Sequence, residues 1–398
     1  MSTIHAALEV GTTRTVMAIG EAMAGGRLRI THAEIPSTGV RKSQILDISH
    51  AADSIKSVLH EIERKQEAAG SNLTIGNAFL ATTGQRIEVT GIVGTAPVRG
   101  PKVTDDDINE AMRSARSMAI PAEQELLDVI EQDYTLDDRG GIVDPIGMSG
   151  KILRLNTLQI RADVNRLNDI RTAAEEAKLA IRDPLFSTTC AAEAVLEEHE
   201  RKNGVLVIEL GGGSTGYAAY CDGHLATAGV IGVGGDHVTN DIANAFQTTN
   251  AQAETLKCSE ACAMPGIGDG ESPRVKVPGS NPLLENRTIS RKSLNAVANA
   301  RLRELVEIIA ERIDERNLLH RLHAGTVLVG GGARMRGIDA LVRQQLGTSV
   351  RTGRPLQVDG LEDDEFPAAY AAIAGVLLYA HRNYEEKSFI GDLFRRFF

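Results

Sequence analysis

The stretch Val205–Tyr220, V-L-V-I-E-L-G-G-G-S-T-G-Y-A-A-Y, limits most tightly what this chain can fold into. Its centre fits G-x-G-x-x-G, the pattern of a dinucleotide loop. That loop needs a helix directly behind it, so that the helix N-terminus faces the pyrophosphate. Here the continuation reads as a strand, a Cys221-Asp222-Gly223-His224 turn and another strand. A hairpin is incompatible with the dinucleotide reading. No G-x-x-x-x-G-K-[ST] occurs anywhere, which excludes a Walker loop. What remains is a strand, a glycine turn and a second strand. Backbone N–H groups in such turns form anion-binding concavities, and Ser and Thr hydroxyls add donors.

The N-terminus has the same shape. A-L-E-V-G-T-T-R-T-V (7–16) places a glutamate two positions before a glycine, then hydroxyl residues, then a second strand. Two such hairpins, 200 positions apart at Gly11 and Gly211, indicate an internally duplicated α/β protein with a ligand between its halves. Opposed carboxylates at Glu9 and Glu209 suit a hydrated Mg²⁺, an ion that prefers to keep several waters. A third run, Val327-Leu328-Val329-Gly330-Gly331-Gly332-Ala333, lets a planar ring approach the backbone closely.

The length of 398 residues exceeds one comfortable core, so two or more domains are expected. A net charge of −10 argues against a general nucleic-acid binder. The four cysteines are too sparse for a disulfide framework, and Cys258-x-x-x-Cys262 lacks a second ligand pair, so free thiols are expected. The N-terminus has no basic, apolar leader pattern, and no stretch reaches about 18 uninterrupted apolar residues. A cytoplasmic chain without a spanning helix is therefore expected.

Apolar spacing predicts helices over 48–69, 164–181, 191–202 and 290–322, and one opening at Thr104, where Thr104-x-x-Asp107 resembles a capping box. Strand-like runs occupy 86–93, 126–136 and 152–160, making residues 83–162 a unit of their own.

On these turns the chain resembles the actin-like ATPase superfamily, and within it the FtsA family of bacterial cell-division proteins. The specific stretches are G-V-G-G-D-H-V-T-N-D-I-A (232–243), V-T-D-D-D-I (103–108), Q-D-Y-T-L-D (132–137) and D-P-I-G-M-S-G (144–150). The resemblance implies an α/β, actin-like two-domain fold of duplicated ribonuclease-H-like cores. Domain I would comprise 1–82, 163–202 and 369–384, and domain II 203–368, its outer part at about 240–322. Residues 83–162 would form the family's inserted domain. It implies ATP and Mg²⁺ as ligands. Gly11, Thr12, Thr13 and Arg14 match the first phosphate loop; Gly211, Gly212, Gly213, Ser214 and Thr215, followed by Gly234 and Gly235, match the second. Glu254 and Lys257 match the pair that reaches ribose and base, and Gly330, Gly331, Gly332 and Ala333 the adenosine loop. Glu209, with Glu9, would hold Mg²⁺ through water, and Glu193 aligns with the position that orients the attacking water.

The departures carry information. The superfamily usually has aspartate at positions 9, 209 and 216, where this chain has Glu9, Glu209 and Gly216, and lysine at Arg14. An added methylene moves a carboxylate by on the order of 1 Å. Such misplacement costs on the order of 100-fold in rate. Retained ATP binding with weak or absent hydrolysis is the expectation.

The chain ends K-S-F-I-G-D-L-F-R-R-F-F. Phe389, Ile390, Leu393, Phe394, Phe397 and Phe398 fall on one side of a helix, with Asp392, Arg395 and Arg396 opposite. This suits an anionic lipid surface, and the family's members end in such a membrane-targeting helix behind a linker, here 385–398. By resemblance the chain would polymerise, bind the C-terminal peptide of the tubulin-like protein FtsZ and other division proteins, and sit on the cytoplasmic face of the membrane at the division site. The alternatives on the same fold are a PilM-like pilus-assembly adaptor, which should lack the terminal helix, and a small-molecule kinase, which should carry a polar acceptor pocket.

Overall fold

The computed structural model describes residues 4–23, 25–266, 272–277, 287–362 and 364–383. The chain opens with a meander, β1 (Ile4–Val10), β2 (Arg14–Ala22) and β3 (Leu28–Pro36), then a small hairpin, β4 (Val40–Arg41) and β5 (Gln44–Ile45). Helix α1 (Ile48–Ala68) follows, N-capped by the Asp47 carboxylate accepting the His50 N–H. Strand β6 (Asn77–Thr82) completes the first stretch.

Next come β7 (Glu88–Pro97), α2 (Asp105–Arg116), β8 (Gln124–Leu136), β9 (Arg139–Ile142) and β10 (Ile152–Asp163), which form their own antiparallel sheet in the order β7-β10-β8-β9. At the start of α2, Asp107 accepts from both the N–H and the hydroxyl of Thr104. Gly94 lets α2 lie against β7, because a Cβ there would meet the Ala111 carbonyl oxygen at 2.0 Å.

The chain continues through α3 (Val164–Glu176), β11 (Ala180–Phe186), α4 (Ser187–Val195) and α5 (Glu198–Asn203). The second half holds β12 (Val205–Leu210), β13 (Thr215–Cys221), β14 (His224–Ile231), α6 (Gly235–Ala245), α7 (Asn250–Ser259), β15 (Arg274–Val277), β16 (Arg287–Ser290), α8 (Arg291–Asp314), β17 (Gly325–Val329), α9 (Ile338–Leu346) and β18 (Val350–Thr352). Strand β19 (Val358–Asp359) returns to the first sheet, and a helix, α10, spans 371–383.

Several elements differ from their sequence-based expectations. The helix expected over 164–181 stops at Glu176, because Lys178 turns left-handed (φ 60°) and β11 begins at Ala180. The helix expected over 191–202 is two: α4 starts four residues earlier, breaks at Leu196 in extended conformation, and α5 restarts. The helix expected over 290–322 ends at Asp314, where Asn317 turns left-handed. Local apolar spacing ran on through these breaks because the residues beyond them also pack inward.

The duplication is visible in strand order. The first sheet runs β11-β6-β1-β2-β3-β19 and the second β14-β13-β12-β17-β18. In each, a three-stranded antiparallel meander gains two parallel strands beside its first strand. Registers match too: Glu9 faces Val16 and Ala81, and Glu209 faces Gly216 and Val329.

The two faces of the second sheet bury into different cores, as strand alternation requires. Val205, Val207, Val327 and Val329 join the core of the first sheet, together with Ala191 and Val195 of α4 and Ile373 and Leu377 of α10. Leu206, Ile208, Leu210 and Leu328 join a second core with Ile242, Leu305 and Leu341. Helices α4 and α10 approach closely, since a Cβ on Gly375 would lie 1.7 Å from the Cys190 carbonyl oxygen. Gly375→Ala is expected to cost on the order of 1–3 kcal/mol by overpacking and to lower the melting temperature by several degrees; an unchanged melting curve would refute this packing.

Candidate functional site

The two hairpin turns are the same turn twice. The Gly11 N–H donates to the Arg14 carbonyl at 3.0 Å, and the Gly211 N–H donates to the Ser214 carbonyl at 3.1 Å. A Cβ at Gly11 or Gly211 would come within 2.8 or 2.7 Å of that same carbonyl, so glycine is required at the first position of each. The turns also meet. A Cβ on Gly212 would lie 2.2 Å from Thr13 Oγ1, and one on Gly213 would lie 2.3 Å from Thr12 Oγ1. Ser43, from the β4–β5 turn, joins them: its N–H donates to Thr12 Oγ1 at 2.8 Å, and its hydroxyl is 3.0 Å from that of Ser214.

The other glycines gather on the second turn. The N–H groups of Gly235 and Asp236, at the start of α6, donate to the carbonyls of Gly211 and Gly212 at 2.9 and 2.8 Å. A Cβ on Gly234 would lie 2.5 Å from the Gly212 carbonyl oxygen. Gly330 and Gly332 pack on Leu210, where Cβ atoms would lie 2.6 Å from its carbonyl oxygen and 2.9 Å from its Cβ. Gly331, Ala333 and Arg334 continue this third turn as a short 3₁₀ segment. Thr215 donates to the Val233 carbonyl at 2.8 Å, tying the strand after the second turn to the segment before α6.

Glu254 and Lys257 arrive from α7. Lys257 Nζ is 2.7 Å from Glu254 Oε2, 3.0 Å from Thr239 Oγ1 and 3.2 Å from the Gly235 carbonyl oxygen. Burial works to raise the Glu254 pKa, but hydrogen bonds from Lys257 and Thr239 outweigh it and hold the carboxylate below its usual range. Burial raises the Asp236 pKa, with Lys257 opposing.

The two carboxylates before the turns are poorly compensated. Burial raises the Glu9 pKa, Arg14 opposes it, and Glu9 Oε2 has no hydrogen-bond partner among the described residues. Burial, then the charge of Glu9, push Glu209 up to about 7, although Ser187 and Thr188 donate to its Oε2 at 2.8 and 2.7 Å. Thr188 also explains Gly216: a Cβ there would sit 1.9 Å from Thr188 Oγ1. The threonine hydroxyl fills the space that a side chain at position 216 would need. Two half-buried carboxylates, one with an oxygen unpartnered among the described residues, fit a cation held through water; no cluster of three or more metal-type ligands occurs among the described residues.

Two expected site residues go elsewhere. Glu193 pairs with Arg201 at 2.7 Å and with Arg382 of α10, and lines a cleft of about 290 Å³ with Asp128, Cys190 and Tyr220. It lies on α4 beyond Ser187 and Thr188, which hold Glu209. Glu193 thus lies more than one helical turn beyond the two residues that hold Glu209. Arg14 sits on the first turn, yet its guanidinium is bonded to the Ala369 carbonyl and Glu34 and lies 4.8 Å above the Tyr370 ring. It acts on Glu9 as a charge while its donors serve Glu34 of β3 and the Ala369 carbonyl. Phe389, Ile390, Leu393, Phe394, Phe397 and Phe398, expected from sequence to face a membrane, lie outside the described residues. Sequence reasoning missed Ser43, Ser187, Thr188 and Asp236, which belong to no glycine motif; only Asp236 stood inside a quoted stretch. The four cysteines are free thiols.

Comparisons with known proteins find relatives along most of the chain. The family model described as cell division protein FtsA matches residues 206–375, and the model for the SHS2 domain inserted in FtsA matches 84–160. The chain is 32% identical to the cell division protein FtsA of Pseudomonas aeruginosa, covering 94% of this chain and 88% of that one. It is 30% identical to that of Escherichia coli (strain K12), covering 95% and 90%. Among solved structures it resembles the PilM-PilN type IV pilus biogenesis complex, at TM-score 0.63, 17% identity and 95% and 98% coverage. It also resembles MreB5 of Spiroplasma citri bound to ADP, at 0.56, 13%, and 96% and 98%. These structural likenesses show the actin-like fold.

Two predictions follow from the carboxylate pair. Glu209 holds its proton to about pH 7 when folded but only to about 4.5 when unfolded, so the native state binds the extra proton in that window. Its contribution to stability is therefore full below about pH 4.5 and is lost as pH rises through about 7. The difference in melting temperature between Glu209→Gln and wild type should grow from pH 5 to pH 8; a pH-independent difference would contradict it. Separately, Gly216→Ala should destabilise by about 1–3 kcal/mol, and Thr188→Ala in the same chain should recover part of the loss. Additive losses in that double-mutant cycle would show that the two sites do not share space.

Proposed function

The chain belongs to the FtsA family of bacterial cell-division proteins, and from that we propose that it is an ATP-binding, polymerising tether between the FtsZ ring and the cytoplasmic membrane. The observation that carries the nucleotide part is the pair of matching turns brought face to face, each followed by hydroxyls and preceded by a half-buried carboxylate. Turn amides and the hydroxyls of Thr12, Thr13, Ser214 and Thr215 would receive the phosphates. Gly330, Gly331, Gly332 and Ala333 would face the adenosine, with Glu254 and Lys257 beside the ribose and base. Mg²⁺ bound with the nucleotide would neutralise phosphate charge, and Glu9 and Glu209 would face its water shell.

The geometry favours holding ATP over hydrolysing it. Glu209 is tied by two hydroxyls and keeps a proton to about pH 7, which makes it a poor partner for an attacking water at lower pH. Glu193 is committed to Arg201 and Arg382. A nucleotide retained in this way would act as a structural element joining the two halves.

Membrane attachment is assigned to the tail, through Phe389, Ile390, Leu393, Phe394, Phe397 and Phe398. One such helix binds weakly and reversibly, and filaments bearing many tails would gain on the order of 10²–10⁴ in avidity. Among the described residues no helix is long and apolar enough to cross a membrane, in keeping with peripheral attachment. The FtsZ C-terminal peptide would dock on the outer part of domain II, about 240–322, within 203–368; 1–82, 163–202 and 369–384 would form domain I. The PilM-like alternative rests on fold similarity at 17% identity, and the division family outweighs it.

The test is co-sedimentation of the full chain with anionic vesicles, with and without Mg·ATP, paired with single-turnover hydrolysis. ATP should raise the bound fraction at least several-fold with little turnover, and Phe394→Asp with Phe397→Asp should abolish sedimentation without altering ATP binding. Equal sedimentation with and without ATP would remove the nucleotide gate, and sedimentation by the double variant would remove the tail from the tether.

A further inference from the structure

Ser43 occupies a strained position between the two turns. It and Lys42 form the two-residue turn of the β4–β5 hairpin, and both are left-handed, with φ of 59° and 49°. Such turns favour Asn and Gly. A serine held there persists because its surroundings determine it, and three contacts do so. Its N–H bonds Thr12, its hydroxyl meets Ser214, and its carbonyl accepts from Arg166 Nε at 2.7 Å. Arg166 Nη1 donates to Thr82 Oγ1 at 3.1 Å, at the end of β6. Gly84 (φ 138°) makes room for the guanidinium, since a Cβ there would fall 2.7 Å from Arg166 Cζ.

The charge of Arg166 is weakly compensated. The carboxylate that acts on it is Asp163, whose Oδ1 accepts the Arg166 backbone N–H as the α3 N-cap and whose Oδ2 accepts from Arg86 at 2.7 Å. A guanidinium thus stands behind the meeting point of the two turns, one residue removed from both. The segments packed on the second turn differ at its two ends. Gly330 and Gly332 pack on Leu210, ahead of the second turn, whereas Ser43 packs on Gly213 and Ser214 at its far end.

We propose that Ser43 and Arg166 read the terminal phosphate. A polyphosphate seated on both turns takes the Ser43 hydroxyl in place of Ser214, backed by the Arg166 charge, and a nucleoside triphosphate is thereby preferred over a diphosphate. This rests on the nucleotide reading above and adds to it two positioning residues outside the glycine motifs. Because Arg166 lies three residues past the end of β10, the reader stands where the inserted sheet joins the first domain.

The experiment is calorimetric titration of the full chain with Mg·ATP and with Mg·ADP, for wild type, Ser43→Gly, Arg166→Lys and Arg166→Ala. Ser43→Gly suits the left-handed backbone and removes the hydroxymethyl side chain while keeping the backbone N–H and carbonyl. It should weaken ATP binding about 10-fold, the scale of one hydrogen bond to a charged group, and leave ADP affinity within about two-fold. Arg166→Ala should lower the ATP-to-ADP affinity ratio further. Arg166→Lys, keeping the charge without the planar fork, should restore part of it. Unchanged ratios in Ser43→Gly and Arg166→Lys would overturn the proposal, as would a wild type that binds ATP and ADP equally. ADP affinity serves as the check on folding, and if Arg166→Ala does not fold the other two variants decide. A wild type that binds neither nucleotide would instead bring down the nucleotide reading, and this one with it.

Discussion

The structure depends on the contact between two glycine turns that belong to different sheets. Gly212 and Gly213 have no room for a Cβ because Thr13 and Thr12 of the other turn already fill it. Side chains at either position would push the sheets apart and open the cleft. The turns are identical because the strands around them are: the same register carries Glu9 opposite Val16 and Glu209 opposite Gly216. A duplicated meander therefore presents two anion-binding concavities toward each other, and the remaining glycines fit other segments onto that pair.

The carboxylates follow from the same closeness. A carboxylate near a second negative charge is harder to ionise, and here the charge of Glu9 adds to desolvation in raising Glu209. In place of an aspartate at position 216 the chain has a glycine, and Thr188 of α4 uses the vacated space to hold Glu209. This local rearrangement accounts for a departure that, read from sequence, was only a missing side chain. It also ties α4 to the site at its first turn, while Glu193 near its end pairs with Arg382 on the last described helix. One short buried helix thus touches both the carboxylate pair and the segment from which the tail departs.

Much of the fold was legible because glycine and strand patterning are local. The hairpins, the inserted unit and the third glycine run could be placed since a turn needing a bare backbone demands glycine wherever it occurs. Element ends were less legible: Lys178 and Asn317 turn left-handed without being glycine or proline, and Leu196 breaks a helix with no breaker residue. Tertiary packing selected those conformations over local propensity. Within the site, the residues inside motifs were found and those outside them were not. Ser43 reaches the turns, and Ser187 and Thr188 reach Glu209, from other elements, and nothing near them in sequence signals it.

The residue pattern alone specified three glycine turns, a carboxylate and hydroxyl pattern shared by two of them, and an amphipathic stretch at 389–398. These depend on residue type and spacing, which bonding and sterics fix within a few residues. Tertiary structure alone decided that the two turns meet, that Thr188 stands in for a side chain at position 216, that Glu193 faces the arginines, and that Arg166 stands behind Ser43. Those outcomes depend on distances between residues far apart in the chain, set by how two sheets and the helices between them pack.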